Sequence, residues 1–249
     1  HEKSGACVTV MTATFDNPFG YGRIVKDADG QVAAITEQKD ATEAERLIRE
    51  VNAGVYCVDR AFLAEAVEKL DNDNAQKEYY LTDVVRQANA RGLTCRSYPV
   101  ADAIEISGVN DRAQMADAAA VLRRRVNREL MLSGVTMIDP AVVYIDGGVK
   151  IGRDSVVYPG AVIKGNTVIG ERCKIGQNAL IEDCDIADDV VVKAGSVLED
   201  SKIGPEAAIG PMAHLRPGTV LSAQVKIGNF VETKKAFMGE GSKASHLTY

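Results

Sequence analysis

The sequence contains few aromatic residues, no long apolar run and a deficit of positive charge. Aromatic side chains make up 5% of its 249 residues, and tryptophan does not occur. No apolar run reaches the roughly 18–20 residues that span a bilayer, which argues against a membrane-spanning helix. Lys and Arg number 29 against 35 Asp and Glu, and the net charge of −6 disfavours nucleic acid or an anionic membrane surface as a partner.

The cysteines are odd in number, widely spaced and form no C-x-x-C pair. They are Cys7, Cys57, Cys95, Cys173 and Cys184. This spacing disfavours both a disulfide framework and a zinc site, and it indicates reduced thiols in a cytosolic protein. The sequence starts at His1 with neither Met nor an apolar leader, so we expect no secretory signal and a cytoplasmic location.

The first half of the chain alternates strand and helix signals, which predicts an α/β architecture. Apolar and β-branched runs predict strands at Ala6–Thr14, Val32–Thr36, Val51–Val58 and Thr94–Val100. Apolar residues at helical spacing predict helices at Arg60–Leu70 and Leu81–Arg91, the latter ending at Gly92. A helix is also predicted at Ala41–Arg49, with Asp40 as its N-cap and Glu43 as the capping-box partner.

A long helix is predicted from Asp111 to about Leu132. This stretch has neither Gly nor Pro and is rich in Ala, Arg and Leu, and a helix of that length spans about 30 Å. Arg123, Arg124 and Arg125 cannot all face one core, because consecutive residues on a helix point in different directions. We therefore expect a long connecting arm rather than a packed bundle helix.

The second half is built on a repeat of six residues. Fifteen of the 22 glycines lie after residue 132. Aliphatic residues recur at every sixth position, with two five-residue steps, at Ile145, Ile151, Val157, Ile163, Ile169, Ile175, Ile181, Ile186, Val192, Leu198, Ile203, Ile209, Leu215, Leu221 and Ile227. Small side chains follow four positions later at Ser155, Ala161, Thr167, Cys173, Ala179, Ser196, Ala207, Ala213 and Thr219. A period of six fits neither a helix nor a long strand, and it predicts a parallel β-helix with a narrow interior.

Six segments carry patterns more specific than the hexapeptides. In the first half they are DNPFGYGR (16–23), EVNAG (50–54), NAQKEYYLTD (74–83) and GVNDR (108–112). In the second half they are HLRPG (214–218) and IGNFVETKKAFMGEGSKASHLTY (227–249). Together they resemble the family of bifunctional bacterial GlmU enzymes, which join an N-acetylglucosamine-1-phosphate uridyltransferase to a glucosamine-1-phosphate acetyltransferase.

The resemblance implies three regions. Residues 1–111 would be the C-terminal part of an α/β, Rossmann-like nucleotidyltransferase domain truncated at its N-terminus, 112–133 a linker helix, and 134–249 a left-handed parallel β-helix that forms a homotrimer. The family's Gly-rich nucleotide loop and an Asp-bearing strand with a magnesium ligand are expected upstream of His1. Coils that bind the CoA arm are expected downstream of Tyr249. We therefore expect this chain to be the central portion of such an enzyme and to be impaired in both reactions.

The resemblance also implies the chemistry of the parent protein. An acetyl group passes from acetyl-CoA to glucosamine 1-phosphate, and then a uridylyl group passes from UTP to N-acetylglucosamine 1-phosphate, with Mg²⁺ as the cofactor. The product, UDP-N-acetylglucosamine, connects the protein with peptidoglycan and lipopolysaccharide synthesis, and so with cell-wall biogenesis and cell shape.

For the uridyltransferase site, the resemblance assigns sugar contacts to Gly22, Glu37 and Asn52. A carboxylate and a carboxamide suit sugar hydroxyls, because each makes paired directional hydrogen bonds. Asn110 matches both a UDP-N-acetylglucosamine contact and a magnesium ligand, and its amide oxygen is a hard donor suited to that ion. The structural alternatives are a simple turn at Gly22, a solvated strand end at Glu37 and a helix N-cap at Asn110.

For the acetyltransferase site, the resemblance makes His246 the catalytic base. Transfer of an acetyl group from a thioester to an amine needs a base that accepts the amine proton, and a histidine is suited to that task near neutral pH. Arg216 and Lys234 would hold the phosphate of glucosamine 1-phosphate, and Tyr249 would lie beside the sugar. The alternatives are a structural histidine at a coil corner and exposed coil charges. His214 is assigned to a turn.

Three rival functions remain at this point. Other sugar-1-phosphate nucleotidylyltransferases with a β-helix tail lack the KASHLTY stretch that carries His246. A γ-class carbonic anhydrase binds zinc through three histidines, whereas only His214 and His246 lie in the repeat region. The third is a trimeric scaffold without activity.

Overall fold

The structure, a computed structural model, describes residues 1–109 and 111–247. The chain divides into two compact units, His1–Val109 and Asn110–Tyr249. Within the described residues, no helix is both long and apolar enough to cross a membrane. The predicted boundaries at 111, 133 and 134 stay predictions, since the compact units do not separate the long helix from the coils that follow.

The first unit is built on a mixed sheet. Its strands are β1 (Val8–Thr14), β2 (Arg23–Lys26), β3 (Val32–Thr36), β4 (Glu50–Val58) and β5 (Cys95–Pro99), in the order β3-β2-β4-β1-β5. The β1–β4, β2–β3 and β2–β4 pairs are antiparallel, and β1 pairs with β5 in parallel. Strand β2 was not predicted, because RIVK is too short to show a pattern by itself. The Rossmann-like description of this unit is not confirmed.

Helices pack on this sheet and enclose its core. They are α1 (Glu43–Arg46), α2 (Arg60–Val67) and α3 (Asp83–Ala90). Helix α3 packs against β3, β5 and α2. The core between the helices and the sheet includes the buried side chains of Val8, Val10, Ile35, Phe62, Val84 and Val85. The chain leaves α3 through Gly92 at φ +72°, as the sequence predicts, and glycine adopts this left-handed conformation at little cost. Short 3-10 turns lie at Glu2–Ser4 and Ala103–Ile106.

The predicted capping of α1 is wrong by two residues. The N-cap is Thr42, whose Oγ1 accepts a hydrogen bond from the Glu45 amide, while the Glu45 carboxylate accepts one from the Thr42 amide. Asp40 instead accepts a hydrogen bond from the Ala75 amide at 2.9 Å. The helix therefore starts later than predicted, because the reciprocal bonds between Thr42 and Glu45 form its capping box.

The long helix α4 spans Arg112–Leu132 and begins at Asp111, whose carboxylate accepts a hydrogen bond from the Gln114 amide. Its N-terminal part is exposed, but its C-terminal part packs against the first coil. Asn127 is buried and donates to the carbonyl oxygens of Pro140 and Val143 at 2.8 and 3.0 Å. The helix is therefore more than a connecting arm, because its C-terminal part packs on the β-helix. The sequence did not indicate this packing, because a polar residue such as Asn127 is not expected to be buried.

The second unit is a parallel β-helix with three flat faces. The first face holds Tyr144–Ile145, Val162–Lys164, Leu180–Glu182, Val197–Glu199, His214–Leu215 and Glu232–Thr233. The second holds Lys150–Ile151, Val168–Ile169, Asp185–Ile186, Lys202–Ile203, Val220–Leu221 and Phe237–Met238. The third holds Thr136–Met137, Val156–Val157, Lys174–Ile175, Val191–Val192, Ala208–Ile209, Lys226–Asn229 and Lys243–His246. A 3-10 turn lies at Pro140–Val142.

The interior of the β-helix confirms the predicted repeat. All fifteen aliphatic residues of the six-residue series are buried, and so are the nine small residues that follow them. The register steps by one coil at a time, as in Ile163↔Ile181 and Ile181↔Leu198. Burial of one such aliphatic side chain stabilises the fold by about 1.5–3 kcal/mol. The stacked series therefore forms one continuous core.

Several glycines allow the coils to stack closely. A β-carbon on Gly152 would lie 2.6 Å from the carbonyl carbon and oxygen of Gly170 in the next coil. The same conflict would arise at Gly204, 2.6 Å from the carbonyl carbon of Ser222. The concentration of glycine in the second half thus has a steric cause.

Candidate functional sites

In the α/β unit, the structure brings Gly22, Glu37 and Asn52 together. The amide of Asn52 donates to the Gly22 carbonyl at 2.9 Å. A β-carbon on Gly22 would lie 3.2 and 3.3 Å from the two carboxylate oxygens of Glu37. Three segments far apart in sequence, the GYGR loop, the end of β3 and the start of β4, therefore present these residues at one place.

Two further residues, Thr82 and Tyr56, complete this cluster, although the sequence did not single them out as site residues. Thr82 is buried and donates from Oγ1 to Glu37 Oε1 at 3.3 Å. Tyr56 hydrogen-bonds the Asn52 side chain and lies near the Glu37 carboxylate, and burial raises the pKa of Tyr56 to about 12. The feature of the sequence that could have indicated them is their position, since Thr82 lies inside the motif NAQKEYYLTD and Tyr56 lies just after EVNAG.

The surroundings of Glu37 raise the pKa of its carboxyl group. Burial is the main cause that raises the pKa of its carboxyl, and the nearby carboxylates of Asp40, Asp83 and Glu78 raise it further, while the Thr82 hydrogen bond lowers it. Glu37 also lines a cavity of about 600 Å³ together with Asp40 and Asp83. It is therefore not the solvated strand end of the alternative interpretation.

The GYGR loop is fixed by side chains on both sides. Gln38 Oε1 accepts from the Gly20 amide at 3.0 Å and from Arg23 Nη2 at 2.7 Å. The buried Arg23 guanidinium also donates to the Tyr21 carbonyl. The Tyr21 hydroxyl accepts from the Gly108 amide at 3.0 Å. These bonds hold the backbone of Gly22 where it faces Glu37.

In the β-helix, Lys234 and His246 line one cavity of about 690 Å³. His246 lies on the last described strand, opposite Asn229 in register, and is exposed. Glu232 and Lys243 also line this cavity. An exposed imidazole beside an exposed ammonium is an arrangement that can accept a proton next to a bound anion.

Arg216 is bonded to Glu232, a carboxylate that lines the same cavity. Its Nη1 donates to Glu232 Oε1 at 2.8 Å, and both side chains are about 40% exposed. The Arg216 hydrogen bond holds the pKa of the Glu232 carboxyl below its usual value, with smaller effects from His214 and Lys234. The structure thus bonds Arg216 to Glu232, which lines the same cavity as Lys234 and His246 and which the sequence did not single out.

His214 lies in a strand and not in the predicted turn. The strand is His214–Leu215, and His214 is the register partner of Glu232. Its Nε2 lies 2.8 Å from Glu199 Oε2 on the preceding coil. The Pro and Gly of HLRPG suggested a turn, but they follow the strand and do not interrupt it.

Two residues assigned from the sequence, Asn110 and Tyr249, lie outside the described part of the chain. Among residues 1–109 and 111–247, no group of three or more His, Cys, Asp or Glu side chains is arranged to hold a metal ion. We assign no step to a magnesium ion.

The fold and these two clusters define a protein that combines an α/β sheet unit with a hexapeptide-repeat parallel β-helix. The family model of the EIF2B subunit epsilon LbH domain matches residues 130–233. The acetyltransferase domain of PglB from Neisseria gonorrhoeae has a TM-score of 0.38 and 18% identity, covering 59% of this chain and 73% of that one.

Curated relatives match the chain over its whole length. It is 57% identical over 249 residues to the bifunctional protein GlmU of Geotalea uraniireducens and 51% identical to that of a Geobacillus species, covering 54% of each. The chain is thus homologous to the GlmU family along all its residues, which confirms the resemblance seen in its motifs. It spans about half the length of these relatives.

Proposed function

We propose that the β-helix unit carries an acetyl-transfer site for glucosamine 1-phosphate and acetyl-CoA. The observation that carries this proposal is the cavity shared by Lys234 and His246, with Arg216 connected to it through Glu232. Homology to GlmU proteins supports it. The left-handed sense of the coils, a homotrimer and a cytoplasmic location belong to the same proposal.

In this reaction His246 is the base. The amine nitrogen of glucosamine 1-phosphate forms a bond with the thioester carbonyl carbon as His246 accepts a proton from that nitrogen. The carbon–sulfur bond then breaks, and the protonated imidazole returns the proton to the departing sulfur of CoA. A base positioned in this way contributes typically about 10²–10⁴-fold in rate.

Arg216 and Lys234 bind the phosphate in this proposal. The Arg216 guanidinium offers a planar set of N–H donors, and its Nη1 donates to Glu232, which leaves other donors for an anion. The exposed Lys234 adds a compact positive charge near the same place. Both charges face an anion that neither reacts nor leaves, so their role is to bind and orient it.

We propose as a second activity the uridylyl transfer from UTP to N-acetylglucosamine 1-phosphate, with the sugar held by the α/β unit. The cluster of Gly22, Glu37 and Asn52 favours this proposal, because it places a carboxylate and a carboxamide beside the backbone of Gly22. Mg²⁺, with Asn110 as a ligand, is part of this proposal through the resemblance alone.

The test uses the full-length gene product and two variants that serve as controls for each other. His246→Ala should lower acetyl transfer by about 10²–10⁴-fold and leave uridylyl transfer intact. Asn52→Ala should weaken uridylyl transfer and leave acetyl transfer intact. Equal acetyl transfer by the wild type and His246→Ala would refute the role of His246. Absence of both activities in the wild type would favour the scaffold alternative.

A further inference from the structure

A column of charged side chains runs along the first face of the β-helix. Glu182 and Glu199 are register partners on successive strands. Because Leu198 pairs with Leu215, the same register places Arg216 opposite Glu199 on the next coil. Neighbouring strands lie about 4.8 Å apart, so a Glu and an Arg at such positions are within reach of each other.

Glu199 nevertheless pairs with a different residue. Its Oε2 lies 2.8 Å from His214 Nε2, two positions before Arg216 on the neighbouring strand. Arg216 in turn pairs diagonally with Glu232 on the following coil, at 2.8 Å. Glu199 and Glu232 thus contact an imidazole and a guanidinium, respectively, each across a diagonal, and among the described residues Glu199 is paired with His214 rather than with Arg216.

We propose that His214 is a positioning residue that keeps Glu199 away from Arg216. With Glu199 bound to His214, the Arg216 guanidinium carries one carboxylate partner, Glu232, and retains N–H groups for the phosphate of a sugar phosphate. Without His214, Glu199 would pair with Arg216, and two carboxylates would compete with the phosphate for one guanidinium. This inference rests on the proposed role of Arg216 in binding phosphate.

The exposure of the residues makes the proposal testable without loss of the fold. The side chains of Glu199, His214 and Arg216 are 40%, 41% and 40% exposed, and none belongs to the buried aliphatic series. Truncation of His214 therefore removes a surface contact and leaves the core unchanged. A second variant, His214→Gln, retains a donor that can reach Glu199.

The experiment measures acetyl transfer by the full-length gene product against glucosamine 1-phosphate concentration. We expect His214→Ala to raise KM for glucosamine 1-phosphate by about two- to fivefold, the effect of one partly exposed charge. The value of kcat should change by less than about twofold, since the contact acts on binding. The double variant E199Q/H214A should restore KM, and H214Q should remain closer to the wild type than H214A.

Two controls separate the possible failures. Glu182→Gln changes a carboxylate of the same column one coil further away, and we expect it to leave KM unchanged. If Arg216→Gln does not raise KM for glucosamine 1-phosphate, both the phosphate role of Arg216 and this inference are wrong. If Arg216→Gln raises KM but His214→Ala does not, or if E199Q fails to reverse the effect of H214A, the inference alone is overturned.

Discussion

Both carboxylate oxygens of Glu37 lie within 3.3 Å of the point where a β-carbon on Gly22 would stand. Gly22 and Glu37 are therefore in close contact, and the lack of a side chain at Gly22 makes room for the Glu37 carboxylate. The Asn52 amide, bonded to the Gly22 carbonyl, fixes the distance between the loop and β4.

Gly22→Ala is expected to weaken sugar binding at the proposed uridyltransferase site. The new methyl group would meet Ile35 Cγ2 at 3.1 Å as well as the Glu37 carboxylate, so the loop or the carboxylate must move by a few tenths of an ångström. We expect KM for N-acetylglucosamine 1-phosphate to rise about tenfold in the full-length gene product, because small misplacements in a binding site are costly. Gly147→Ala, where the nearest atom is 4.0 Å away, is the matched control.

Glu37→Gln is expected to stabilise the chain at neutral pH. The pKa of Glu37 is raised in the folded state, so ionisation of this carboxyl lowers the free energy of unfolding as pH rises above the ordinary glutamate value of about 4.3. At pH 7 the variant should therefore unfold at higher urea concentration than the wild type, and the difference should disappear below that value. Circular dichroism at several pH values measures it.

The exposed Glu43→Gln on α1 is the control for this pH dependence. It should show no stabilisation that grows between acidic and neutral pH. A Glu37→Gln variant that is as stable as the wild type at pH 7 would contradict the inferred cost of the buried charge.

Ile181→Ala is expected to destabilise the β-helix strongly. Ile181 is fully buried in the middle of the stacked series, and loss of such a side chain costs about 2–5 kcal/mol because a cavity remains. The comparison is Val168→Ala, at an outward position that is 42% exposed, for which we expect less than about 1 kcal/mol. Urea unfolding of both variants measures the difference, and equal losses would mean that the series does not form a tight core.

Asn127→Ala is expected to loosen the C-terminal part of α4 from the first coil. Its side-chain amide satisfies the carbonyl oxygens of Pro140 and Val143, and removal of the donor leaves buried acceptors without a partner. A loss of about 1–3 kcal/mol in the free energy of unfolding follows. The exposed neighbour Arg128→Ala should have little effect. Faster amide exchange at residues 141–143 in the Asn127 variant alone would support the stated cause.

The six-residue repeat is enough to predict the architecture of the second unit. Burial in a narrow coil requires an aliphatic side chain at each sixth position. The buried residues Ile163, Ile181 and Leu198 therefore form a periodic pattern that is visible in the sequence. The same applies to Gly92, where a left-handed residue is needed at the end of α3. The motifs that resemble GlmU proteins predicted the resemblance to that family and the site residues proposed above.

The pairing of polar residues, in contrast, depends on how the chain folds in three dimensions. Asp40, the predicted cap of α1, instead binds the amide of Ala75 in a distant loop. The partnerships of Glu37 with Thr82 and of Arg216 with Glu232 join residues from different elements or coils. Hydrogen bonds between side chains depend on how segments meet in space, and no local periodicity records that meeting. The sequence therefore predicts the architecture of the β-helix, whereas the hydrogen-bond partners of the polar side chains are known only from the folded structure.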